Sequence, residues 1–104
     1  MAKFEYVIKK EIEVPNTIEV KGRKVFAYID NEDYGDDYSP SIEYGDEVED
    51  KYDWTITIIA DRKGEFLIRL TVNGEVVAED NFYPEDTPIQ QMIDRFIETL
   101  EGLI

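Results

Sequence analysis

Eleven carboxylates fall between Asp30 and Asp53 and meet a single base, Lys51, so these 24 residues carry a formal charge of −10. Carboxylates at this density suit three kinds of chemistry. They can cage a hard cation, pair for acid–base work, or present a row of negative charge to a basic surface. The same segment holds four of the seven tyrosines, which supply rigid contact area at low entropic cost.

Spacing separates these options. An EF-hand loop wants oxygen ligands at positions 1, 3 and 5, glycine at 6 and a bidentate glutamate at 12. Counted from Asp30, positions 1, 3 and 6 are Asp30, Glu32 and Gly35, but position 5 is Tyr34 and position 12 is Ser41. A calcium-binding module is therefore an alternative carried only by a looser carboxylate cage. Catalysis has less support. The chain has no histidine and no cysteine, so the commonest base near neutral pH and the thiolate nucleophile are both missing. Ser39 and Ser41 have no imidazole to activate them, and Gly22, Gly64 and Gly74 are isolated turn glycines rather than a phosphate-binding loop. No enzyme, cofactor or metal site is expected.

The remaining option is a charged interaction surface. A short pattern recurs ten residues apart: Asp33-Tyr34-Gly35-Asp36-Asp37 and Glu43-Tyr44-Gly45-Asp46-Glu47. Glycine frees the backbone to turn, so each copy is expected to lift its carboxylates on a turn tip. The residues predicted to meet a partner are Asp30, Glu32, Asp33, Tyr34, Asp36, Asp37, Tyr38, Glu43, Tyr44, Asp46, Glu47, Glu49 and Asp50. Duplex DNA offers one charge per ~1.7 Å of axis, and carboxylates along an arm can imitate it in a basic groove.

Over the whole chain the net charge is −14, beyond the roughly 2–8 that solubility asks of a small domain. Such a surface repels nucleic acid and anionic membranes, so neither is expected as a direct partner. No apolar run approaches the ~20 residues of a membrane span, and the start, MAKFEYVIKKEIEV, has no signal-peptide core. Cytoplasmic location is expected, in the host cytoplasm if the chain is viral. In size and charge the chain resembles phage-encoded inhibitors of bacterial defence nucleases, such as anti-CRISPR and anti-restriction proteins, and immunity proteins paired with nuclease toxins. That resemblance implies a small non-enzymatic protein blocking the basic surface of a nuclease or other nucleic-acid-handling enzyme.

The elements that must position this segment follow from hydrophobic periodicity. Phe4, Tyr6, Ile8, Ile12 and Val14 share one parity and read as one long strand up to Pro15. Ile18 and Val20 precede a turn at Lys21-Gly22, and Val25–Ile29 returns. Trp54, Ile56, Ile58 and Ala60 alternate with Thr55, Thr57 and Ile59; Phe66, Ile68, Leu70 and Val72 follow. Asn73-Gly74, a strong type I′ signal, turns the chain into 76–82, completing a meander over 54–82. Ile89, Met92, Ile93, Phe96, Ile97 and Leu100 form one helical stripe, with Thr87 read as the N-cap of a Thr-x-x-Gln box and Gly102 as the C-cap.

The expected fold is α+β: one domain over 1–104, an antiparallel sheet of about six strands, and the C-terminal helix across one face. Segment 30–53 is expected to leave that sheet as an acidic loop or arm. A structural or assembly role is the second functional reading. There the sheet face away from the helix, with Val7, Ile59 and Leu67 beside Thr55, Thr57 and Thr71, forms the interface.

Overall fold

A computed structural model describes residues 2–7, 10–30, 40–47, 53–61 and 63–104. Eight strands precede one helix: β1 (Ala2–Val7), β2 (Lys10–Val14), β3 (Thr17–Val20), β4 (Arg23–Asp30), β5 (Ser41–Glu47), β6 (Asp53–Ala60), β7 (Phe66–Val72), β8 (Glu75–Phe82) and α1 (Ile89–Leu103). The last six strands form an antiparallel sheet in chain order, β3-β4-β5-β6-β7-β8, and β1 and β2 form a separate two-stranded sheet. This is the expected α+β architecture.

The alternating patterns become faces. Direct neighbours Tyr44, Ile56 and Leu70 share one side of the sheet, as do Ile42, Ile58 and Ile68. All six are fully buried, and Trp54 beside them is nearly so. Ile89, Met92, Ile93, Phe96 and Leu100 of α1 close over this face, so the helical stripe is core, as its spacing requires. Phe66 meets Phe4 and Phe82 edge-on, at centroid distances of 5.9 and 5.4 Å, joining the β1–β2 hairpin to the end of the main core. Each such ring pair adds about 0.5–1.5 kcal/mol beyond its area burial.

Turn chemistry sets the register. Lys21 and Gly22 have φ of 48° and 77°, and Asn73 and Gly74 have 53° and 83°, the paired positive values of a two-residue type I′ connection. An extra residue in β8, between the partners of Leu70 and Thr71, bulges that edge strand.

Three expectations are corrected. The long first strand is a hairpin, with Phe4 opposite Ile12 and Ala2 opposite Val14. From Ala2 to Glu5 partners share parity, so an even-numbered apolar face serves a straight strand and a folded-back one equally well. The helix boundaries also move. Pro88, not Thr87, is the N-cap and no side chain caps it; Gly102 lies inside the helix, which ends on Ile104. The Thr87 amide instead donates to the Tyr83 carbonyl at 2.9 Å, closing a turn ahead of the helix. Finally, 30–53 is not one excursion, because Ser41–Glu47 is a strand with a neighbour on each side.

Candidate interaction surface

β5 divides the acidic segment. β4 pairs with β5 through Ala27–Asp30, and β5 pairs with β6 along all seven of its residues. Antiparallel pairing puts Asp30 of β4 beside Ser41 at one end of the sheet, and Glu47 of β5 beside Asp53 at the other. Seven residues span about 20 Å. Among the described acids, Asp30 therefore belongs to one end, and Asp46, Glu47 and Asp53 to the other. Glu43 alone sits midway, exposed on the strand itself.

The predicted contact residues thus divide into three groups. Glu32, Asp33, Tyr34, Asp36, Asp37, Tyr38, Glu49 and Asp50 lie outside the described residues. Asp30, Asp46 and Glu47 are strand-end positions, in register with Ser41, Trp54 and Asp53, and their side chains lie outside what is described. Glu43 and Tyr44 are fully placed, on opposite faces.

Tyr44 is a correction. Its side chain is 0% exposed, and its hydroxyl donates to the Pro15 carbonyl at 2.7 Å. Burial raises the phenol's pKa well above its ordinary range. A side chain enclosed by the core offers no surface to a partner. Its position follows from parity: Tyr44 is in register with Ile56, an inward residue, on a strand that had been read as loop. The second Tyr-Gly-Asp copy is accordingly strand and not turn tip. Gly45 lacks a positive φ, and a Cβ there would meet Thr55 Oγ1 and the Trp54 carbonyl at an ordinary 3.7 Å.

The face away from α1 has no helix or second sheet over it among the described residues. Tyr28, Glu43, Thr57, Arg69 and Glu79 form one row of direct cross-strand neighbours, and Ser41, Ile59, Leu67 and Asn81 the next. Phe26 and Tyr28 are each 71% exposed, large values for aromatic rings, and Val76 is also exposed. Charged residues lie among these apolar ones. Arg69 pairs with Glu79 at 2.8 Å, a surface ion pair worth about 0–1 kcal/mol. Sequence parity had singled out Ile59, Leu67 and the threonines but not Phe26 or Tyr28. The signal was present, since both are out of phase with the buried Val25 on the same strand.

The basic cluster at Lys21-Gly22-Arg23-Lys24 is exposed. Lys21 ties the β3–β4 turn to the end of α1, its amide donating to a Glu101 carboxylate oxygen at 2.7 Å and its ammonium to the Ile104 carbonyl. Tyr83, half exposed, has its pKa raised by a hydrogen bond to Glu65, then by the charges of Glu65, Asp61 and Asp86. Among the described residues no cluster of three or more Asp or Glu is placed to hold a metal ion, and no helix is long and apolar enough to cross a membrane. Comparison with known protein families, with curated proteins and with solved structures finds no match to this chain.

Proposed function

We propose that this is a non-enzymatic binding protein that covers a basic surface of a nucleic-acid-handling protein, of the nuclease-inhibitor or DNA-mimic type. The observation that carries this reading is the placement of charge. Within a segment of −10, β5 sets Asp30 at one end of the sheet and Asp46, Glu47 and Asp53 at the other, with Glu43 and the exposed Tyr28 side by side between them. Two anionic ends about 20 Å apart suit a groove built for a polyanion. Tyr28 and Phe26 give the middle of that surface aromatic anchors of the kind that dominate interface energetics. The site of action in this reading is the cytoplasm, the host's if the chain is viral, and neither nucleic acid nor membrane is bound directly.

The test uses a panel of immobilised basic DNA-binding enzymes and compares the wild-type chain with Asp36→Asn, Asp37→Asn, Asp46→Asn, Glu47→Gln combined. Complementary charge acts mainly on association rates, so the variant is expected to associate more slowly and the wild type to weaken steeply with salt. Equal kinetics for the two proteins contradicts the proposal.

A second reading, an assembly domain joined through the open sheet face, is favoured by the exposure of Phe26, Tyr28 and Val76. Under it, Phe26→Ser with Tyr28→Ser abolishes association and the charge variant leaves it intact.

A further inference from the structure

A groove of about 360 Å³ runs between β3 and α1, and none of its described lining residues belongs to the acidic segment. Its floor is apolar, formed by Pro15, Ile18 and Ile97. One wall is the flank of α1 bearing Asp94, Glu98 and Glu101. The other wall is β3, the edge strand of the six-stranded sheet.

The backbone groups of β3 face two ways. The Ala27 amide donates to the Asn16 carbonyl at 2.8 Å, and the register continues Ile18 to Val25 and Val20 to Arg23. Hydrogen-bonded pairs alternate in an antiparallel ladder. Residues 16, 18 and 20 therefore point their amides and carbonyls at β4, and Thr17 and Glu19 point theirs outward into the groove. No described residue pairs with that edge. An unpaired edge is a template for another strand, and natural proteins usually cover or blunt one.

The helix wall selects the occupant. Asp94 accepts from Gln90 at 2.9 Å and Glu101 accepts the Lys21 amide, but none of the three carboxylates forms an ion pair with a base among the described residues. A second copy of this chain would bring like charge to like charge.

We propose that this groove binds an extended, basic segment of a partner protein as an added strand on β3. Its backbone pairs with Thr17 and Glu19. Side chains on the helix side alternate with outward ones, so basic residues reach Asp94, Glu98 and Glu101 and an apolar one rests on Ile18 and Ile97. Main-chain pairing gives affinity in such complexes and alternate side chains give selectivity. This goes beyond the reading above, because it uses a different surface and stands if that reading fails.

The experiment follows the fluorescence anisotropy of a labelled Lys-Thr-Ile-Thr-Lys-Thr-Lys peptide, whose lysines and isoleucine share one side of a strand, titrated with the full chain. Saturable binding that weakens with salt is expected. Glu19→Pro removes an outward amide at an edge position where proline is tolerated. Glu98→Lys reverses charge on an exposed helix position and leaves the sheet untouched. Each is expected to weaken binding by at least about tenfold, with the far-ultraviolet spectrum unchanged, and the combined Asp36, Asp37, Asp46 and Glu47 variant to bind within about twofold of wild type. Absence of binding at low salt overturns the proposal. So does a peptide held equally by Glu98→Lys but released by the combined variant, which would place it on the acidic segment, or a dimer in sedimentation that excludes the peptide.

Discussion

Tyr44 shows how one side chain couples the acidic segment to the core. Its phenol is buried and donates to the Pro15 carbonyl, so the folded protein requires it protonated. Its folded pKa lies above the ordinary value of about 10. The stability it contributes is therefore complete below about pH 10 and lost as pH rises further. In a spectrophotometric titration, one tyrosine is expected to resist ionisation until the chain unfolds, and Tyr44→Phe should remove that lag. Removing the hydroxyl leaves the Pro15 carbonyl without this donor and should cost about 1 kcal/mol in denaturant melts. Two glycines separate strand from turn. Gly74, at φ 83°, needs the left-handed region, so Gly74→Ala should destabilise by about 1 kcal/mol. Gly45 sits inside β5 with room for a methyl, so Gly45→Ala should be neutral or stabilise by up to about 1 kcal/mol. A loss at Gly45 equal to that at Gly74 would return it to a turn tip.

At the scale of elements, α1 is held by its buried stripe rather than by its ends. Phe96→Ala should cost about 3–5 kcal/mol through lost transfer energy and a cavity, seen as a collapse of the melting temperature. Thr87→Ala should cost less than about 0.5 kcal/mol, because no side chain caps this helix. The helix face was legible because six apolar residues repeat at helical spacing, but the cap was not. Thr87-Pro88 fits the capping pattern, yet the Thr87 amide is committed to Tyr83. The meander was legible for a related reason: parity and Asn73-Gly74 point to the same register. The β1–β2 reversal was not, since Ile8 and Lys9 are not turn-forming residues and the parity survives folding back. β5 stayed hidden because only Ile42 and Tyr44 of its seven residues are apolar. Charge density outweighed so short an alternation. Of the proposed contacts, the strand-end acids and Glu43 were legible as acids in one segment, but their division between two ends of the sheet depends on β5.

At the scale of the molecule, −14 on a chain with a 13.5 Å radius of gyration is a self-repelling surface. Stability should rise with added salt over the first few tenths molar, as the Debye length falls from about 10 Å at 0.1 M. Charge that opposes folding is retained here, in the proposed account, because it meets an opposite charge on a partner. The most direct measurement is a protection assay. DNA cleavage by a panel of nucleases is followed while the chain is titrated in, at low and high salt, beside the combined Asp36, Asp37, Asp46 and Glu47 variant. Stoichiometric protection by the wild-type chain from at least one enzyme is expected, relieved by salt and by excess duplex DNA and weakened at least about tenfold in the variant. Protection equally strong in the variant, or no protection from any enzyme at low salt, would contradict it.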